Sequence, residues 1–219
     1  SQLDTNEINV STIEDPIEAQ IQGINQSQIN DRAGFTFSKA LRSMLRQDPD
    51  VLMVGEIRDS ETAAIVSQAA LTGHLVFSTL HTNDSISAVT RLINLGIEPY
   101  LVAATVRGVL AQRLVRKICP HCKTAWEGDE SVRQACGGGE FSTGAGCNRC
   151  RGTGFTGRIG IFELLVPTIE LLEAIGRGAS LQELRTLTEH STLHVDGLEK
   201  VSQGLTTPEE VLCVTRSVA

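Results

Sequence analysis

The sequence predicts an α/β protein built on an open parallel sheet, and three observations carry that prediction. Short β-branched or apolar runs alternate with helical patterns; the apolar runs are near-continuous, as in strands buried on both faces; and each ends on acidic or histidine-bearing residues. The first run, INVSTIE from Ile8 to Glu14, is closed by Asp15-Pro16. The helical pattern FSKALRSMLRQ starts at Phe37 and precedes a second strand, VLMVGE from Val51 to Glu56. SETAAIVSQAALTG starts at Ser60 with Asp59 as N-cap and Gly73 as its stop, and leads to a third strand, LVFSTL from Leu75 to Leu80. SISAVTRLINLG follows from Ser85, capped by Asp84 and ended by Gly96.

Composition narrows the function classes. The chain has 219 residues, 41% of them hydrophobic, and a formal net charge of −7. That balance opposes general binding of nucleic acid, which needs a basic field to displace counterions, but permits a local anion pocket. No run approaches the roughly 18 apolar residues of a membrane span, and the N-terminus lacks a signal-peptide pattern, so the chain reads as cytoplasmic. It begins with Ser1 inside a polar connector, which suggests a piece of a longer protein.

In an open parallel sheet a ligand sits beyond the carboxyl ends of the strands. Here those ends carry Glu14-Asp15, Glu56, and His81-Thr82-Asn83-Asp84. Asp59 and Asp84 suit helix caps. Glu14 and Glu56 are the better candidates for chemistry, because nucleotide-bound Mg²⁺ uses one or two nearby carboxylates, often through water.

Three segments carry a family resemblance: TIEDPIE (12–18), LRQDPDVLMVGEIRDSETA (45–63) and ALTGHLVFSTLHTND (70–84). They resemble the aspartate box, the Walker B segment and the histidine box of the secretion and pilus ATPases, RecA-like P-loop motors. The resemblance implies ATP and Mg²⁺ as ligands, a hexamer of the full-length protein, and work at the cytoplasmic face of the inner membrane. Association with that membrane would be peripheral, through a membrane platform and cytoplasmic docking proteins. It further implies that Glu56 is the Walker B acid and Glu14 the aspartate-box acid, either of which could be the general base, and that His81 contacts the γ-phosphate. A G-x-x-x-x-G-K-[ST] phosphate loop is missing: the four lysines are Lys39, Lys117, Lys123 and Lys200, and none follows a glycine. In the family that loop lies shortly before the aspartate box, so it is expected upstream of Ser1, and the 219 residues alone are expected to be inactive.

His74 and His81 are seven residues apart, roughly 23 Å along a strand, with an odd separation that points to opposite faces. They should not share an ion; His74 suits packing, a subunit contact or phosphate sensing. Arg42 and Arg46, spaced i, i+4, present one helix face and are either solvated or directed across a subunit boundary to a neighbour's nucleotide. Arg58 is a weaker candidate for the same role, or pairs with Asp59.

CPHC (Cys119, Cys122) and CNRC (Cys147, Cys150) are separated by 24 residues. Two C-x-x-C knuckles supply four thiolates to a structural Zn²⁺, with iron as the alternative and no sign of a disulfide compartment. His121 could substitute for one ligand, and Cys136, in the Gly- and Ser-rich loop between the knuckles, is read as outside the set. Within the family such an insertion is typical of assembly and secretion motors. After Leu165 the pattern is helical: IELLEAIGRG from Ile169, SLQELRTLTEH from Ser180, and TPEEVLCVTR with Thr207 as N-cap, Pro208 at N1 and Glu210 at N3. Cys213 is read as core, and His190 and His194 as surface or satisfied residues.

The expected organisation is therefore an incomplete RecA-like core over 1–115, a tetracysteine subdomain over 116–160, and a small helical subdomain over 161–219. The expected function is that of the C-terminal part of a hexameric ATPase powering pilus or pseudopilus assembly and protein secretion. The alternative is a zinc-stabilised interaction module without catalysis that docks to an inner-membrane platform.

Overall fold

In the computed structural model, β1 (Val10–Glu14), β2 (Asn25–Gln28), β3 (Val51–Val54) and β4 (Leu75–Ser78) are interleaved with α1 (Phe37–Met44) and α2 (Ser60–Leu71). Next come α3 (Ser85–Asn94), α4 (Pro99–Thr105), β5 (Val109–Ile118), β6 (Lys123–Ala125), α5 (Glu130–Ala135), β7 (Ser142–Gly144) and β8 (Phe155–Leu165). Helices α6 (Ile169–Gly176), α7 (Leu181–Thr186), α8 (Leu193–Ser202) and α9 (Pro208–Thr215) follow. The structure describes residues 3–188 and 190–215. Glu189, inside the helical run predicted from Ser180, and Arg216, at the end of the last predicted helix, lie outside the described residues.

The chain divides into two compact units. The first takes in the chain up to Thr82, Ile86–Arg107 and Pro167–Leu187; the second takes in Asn83–Ser85, Gly108–Val166 and the chain from Thr188 on.

The first unit holds a fully parallel sheet in the order β2-β1-β3-β4. Its core forms where the apolar residues of β1 and β3 meet α1 and α2: Ile13, Leu41, Leu52 and Val54 are each at most 1% exposed. Both helices start where their patterns predict, at Phe37 and Ser60; Asp59 caps α2 as its sequence predicts, Thr36 caps α1, and each side chain accepts a backbone N–H of the first turn. α1 ends earlier than its pattern, at Met44, because the next N–H groups switch to i−3 partners: Arg46 bonds Ser43 and Gln47 bonds Met44. Strand β2 was not expected, since Asn-Gln-Ser-Gln carries no apolar signal; it forms by backbone pairing with β1. β4 departs from the expectation of burial on both faces. It is an edge strand among the described residues, and Leu75 and Phe77 are 46% and 51% exposed.

The second unit is built on a long antiparallel ribbon, β5 against β8, running from Val109↔Leu165 to Ile118↔Phe155. Val115, Ile161 and Leu193 form the cluster beneath it. The stretch between the knuckles is folded rather than the open loop its composition suggests. β6 and β7 pair, and Trp126, Cys136 and Phe141 pack with Val201, Val211 and Leu212 of α8 and α9. Trp126 stacks edge-on to Phe141 at 5.8 Å and donates its indole N–H to Glu209 at 2.7 Å. Two further expectations are corrected in α9. Its buried positions are Pro208, Val211 and Leu212, so Cys213, the next residue round, is exposed. Glu210 turns its carboxylate to the backbone N–H and guanidinium of Arg116 instead of back to its own cap.

Ile13 is fully buried between β2 and β3, so Ile13→Ala is expected to lower stability by about 2–5 kcal/mol, read as a fall in the urea midpoint with an unchanged slope.

Candidate functional site

The parallel register sets Ile13 opposite Val54, so Glu14 runs beside Gly55 and Glu56 follows one residue later. Gly55 donates its N–H to the Ile13 carbonyl at 2.7 Å. A Cβ at position 55 would stand 3.1 Å from that oxygen and 3.5 Å from the Glu14 Cα, so glycine lets the two backbones close where the acids emerge. Pairing also continues past the formal end of β4. Ser78 donates its hydroxyl to the Val54 carbonyl at 2.8 Å, Thr79 donates its own to Gly55 at 2.6 Å, and the Ile57 N–H donates to the Thr79 carbonyl at 3.1 Å. These bonds carry the segment leading to His81 alongside the segment bearing Glu56.

Glu56 and His81 are thereby brought together: His81 Nε2 lies 3.4 Å from Glu56 Oε2, without hydrogen-bond alignment. The Glu56 side chain is 13% exposed and that of His81 is 89% exposed. Glu56 Oε1 accepts from the Arg58 guanidinium at 2.5 Å, whereas Oε2 is buried and has no hydrogen-bond partner. The Arg58 hydrogen bond, opposed by burial and helped by the charge of Arg58 and by nearby His81, holds the Glu56 carboxyl below the ordinary range. Arg58 thus pairs with Glu56 rather than with Asp59, whose carboxylate caps α2 by accepting from the N–H and hydroxyl of Thr62 at 2.8 and 2.9 Å. Glu14 is held separately, its Oε1 accepting from Thr12 at 2.5 Å and from the Gln26 amide at 2.9 Å. Gln26 escaped sequence reasoning because nothing marked β2 as a strand.

The remaining candidates lie elsewhere. His74 sits at the amino end of β4, with Nδ1 3.0 Å from the Ala69 carbonyl and 3.2 Å from the Thr72 hydroxyl at the end of α2. Arg42 reaches Glu61 on α2 at 3.1 Å, with both side chains exposed. Arg46 lies beyond α1 and folds back to cap it, donating to the Arg42 carbonyl at 2.7 Å.

In the second unit the sulfurs of Cys119, Cys122, Cys147 and Cys150 all lie within 4.8 Å of one another. The closest separations are 4.0 Å (119 to 147), 3.8 Å (122 to 150) and 3.7 Å (147 to 150). Four thiolates about 2.3 Å from a tetrahedral ion stand roughly 3.8 Å apart, so the set fits one metal. The chain entering and leaving the second knuckle closes at Gly144 and Gly154, where a Cβ on Gly144 would fall 2.0 Å from the Gly154 carbonyl oxygen. Burial raises the Cys150 thiol, but N–H groups of Cys147 and Gly154 donate to its sulfur and bring it down to about 6, while burial pushes Cys122 up to about 12. His121 turns away from the cluster and lies 3.0 Å from Arg149.

Residues 1–213 match the family described as "Type II/IV secretion system protein". Among curated relatives, the type IV pilus assembly ATPase PilB of Thermus thermophilus is 52% identical over 94% of this chain and 24% of its own length. The type II secretion system ATPase E of Vibrio cholerae is 49% identical over 98% of this chain and 44% of its own length. Among solved structures, the pilus retraction motor PilT with bound ADP superposes with a TM-score of 0.71 at 29% identity, covering 94% of this chain and 52% of that one. The Legionella pneumophila ATPase DotB gives 0.65 at 22% identity over 98% of this chain and 55% of that one, a likeness of fold. The chain therefore spans about a quarter and under half of the length of these two curated relatives, respectively.

Arg58→Ala is expected to raise the Glu56 carboxyl toward its ordinary value, followed by carboxylate NMR through an acid titration. Because the native carboxyl lies below its unfolded value, the stability from this pair is complete above the unfolded value and is lost as pH falls through the native one. The variant should lack that increment of acid sensitivity.

Proposed function

Because the chain belongs to the type II/IV secretion system protein family, we propose that the whole protein is a hexameric ATPase powering pilus or pseudopilus assembly and protein secretion across the bacterial envelope. Two relatives bear the names of a pilus assembly ATPase and a secretion ATPase, which supports the class. The observation that carries the reading is Glu56 Oε2, a buried carboxylate oxygen with no hydrogen-bond partner, beside exposed His81 at the carboxyl edge of a parallel sheet.

The donor set fits Mg²⁺ bound with a nucleotide, since a hard cation takes carboxylate oxygen and Oε2 is left for one. When bound, Mg²⁺ would neutralise charge on the phosphates. Glu56 would hold it, through water, and exchange Arg58 for that partnership. Glu14, kept in place by Thr12 and Gln26, is the second acid able to accept a proton from attacking water. His81 would donate to the terminal phosphate. Among the described residues the Arg42 side chain is held only by an exposed ion pair of small worth, so it can turn to a neighbouring subunit's phosphates, with Arg46 bracing its helix end. His74 is assigned to packing against the end of α2. No lysine in this chain follows a glycine, so these 219 residues alone should not turn over ATP.

The four cysteines are assigned to one structural Zn²⁺, a closed site that fixes a surface for the inner-membrane platform and cytoplasmic docking proteins.

In the full-length protein, Glu56→Gln is expected to lower ATP turnover by at least about 100-fold while nucleotide still binds, measured by phosphate release and equilibrium binding; unchanged turnover would sink the assignment. The chain purified under reducing conditions should carry one zinc per molecule by elemental analysis, and Cys119→Ser with Cys147→Ser should lose it.

A further inference from the structure

The connection from β1 to β2, Asp15 to Ile24, joins two parallel strands yet contains neither helix nor strand. Parallel crossovers usually carry a helix, which packs on the sheet and fixes the path of the chain. Here side chains of β2 take over that task. In the parallel register Thr12 stands opposite Gln26 and Glu14 opposite Gln28, so these four residues share one face of the sheet. Gln28 Oε1 accepts from the Ile17 N–H at 3.3 Å. Gln26 is more fully engaged. Its Oε1 accepts from the Ile21 N–H at 2.7 Å, and its Nε2 donates to the Ala19 carbonyl at 3.0 Å and to Glu14 Oε1 at 2.9 Å.

The two bonds to the connection decide which end of that amide meets the carboxylate. The Ile21 N–H demands the carbonyl oxygen and the Ala19 carbonyl demands an N–H, which leaves the second N–H to face Glu14. With the amide reversed, its oxygen would oppose both the Ala19 carbonyl and the Glu14 carboxylate. Thr12 donates to the same Glu14 oxygen at 2.5 Å, and no donor among the described residues reaches Oε2. The two donors therefore fix Oε1 and leave Oε2 as the oxygen able to take a proton.

We propose that Gln26 is a positioning residue for Glu14, itself set by the β1–β2 connection: the backbone at Ala19 and Ile21 orients the amide, and the amide holds the carboxylate. The proposal rests on the reading of Glu14 as a proton acceptor for the attacking water. It makes proton transfer at that acid depend on the connection, because a connection that swings away frees the amide to turn and leaves Glu14 Oε1 to Thr12 alone. It also accounts for the polar sequence of β2, whose glutamines serve the connection rather than a core.

The test is a double-mutant cycle for ATP hydrolysis in the full-length protein, comparing Gln26→Met, Glu14→Gln and the pair. Gln28→Met is the control, since it releases the connection at Ile17 but removes no side-chain bond to Glu14. Gln26→Met keeps the length of the side chain without its donor, and should lower kcat about 10- to 100-fold with KM for ATP little changed. It should add nothing once Glu14 is replaced, and Gln28→Met should leave kcat close to the wild-type value. If Glu14→Gln retains full kcat, the reading of Glu14 as a proton acceptor fails and this proposal with it. If Glu14→Gln is impaired but the two losses multiply, or if Gln28→Met is as poor as Gln26→Met, only the positioning role falls. Should Gln26→Met fail to fold, Gln26→Asn, whose shorter side chain cannot span the connection and Glu14 together, completes the same cycle and decides by the same criteria.

Discussion

The parallel pairing of β1 with β3 is the constraint on which the site depends. Side-by-side strands of the same direction deliver their carboxyl ends to one edge, and a register with Ile13 opposite Val54 sets Glu14 beside Gly55, with Glu56 one residue further on. A one-residue slip would turn Ile13 and Val54 out of the core, so the same burial that stabilises the unit enforces the alignment of the acids. Gly55 completes the device by removing the one side chain that would wedge the strands apart at the point of delivery.

Much of this was legible because the signals are local. Cap residues announce themselves in adjacent sequence: Asp59 sits one residue before its helix, with its acceptor atoms committed to the first turn. Two C-x-x-C pairs need only spacing, and the sulfurs converge. The illegible parts depend on partners far away along the chain. β2 is polar and exists because β1 offers it a ladder. The ribbon of β5 and β8 places apolar residues on both faces, Val115 and Ile161 inward but Leu110 and Leu164 outward, which destroys the alternation that would reveal a strand. Glu163 and Ser85 meet across 78 residues, and no short window contains the pair.

The two acids at the sheet edge occupy different electrostatic settings although they arise in the same way. Glu14 is held by neutral donors, a hydroxyl and an amide. Glu56 is held by a guanidinium on one oxygen and by no hydrogen-bond donor on the other. The difference follows from sequence neighbours: Arg58 lies two residues after Glu56, while Gln26 reaches Glu14 from the next strand. A cation arriving at Glu56 therefore competes with a positive charge already present, so binding there measures a difference between two charged partnerships.

The exposed edge strand bears on how the molecule behaves in bulk. β4 contributes Leu75, Val76 and Phe77 with no lysine, proline or acid to blunt the row of backbone groups along its outer side. Natural sheets usually protect such an edge, since it templates strand addition from another molecule. Among the described residues nothing pairs with that outer side, and the net charge of −7 over the 219 residues adds a long-range repulsion that salt screens and acid titrates away.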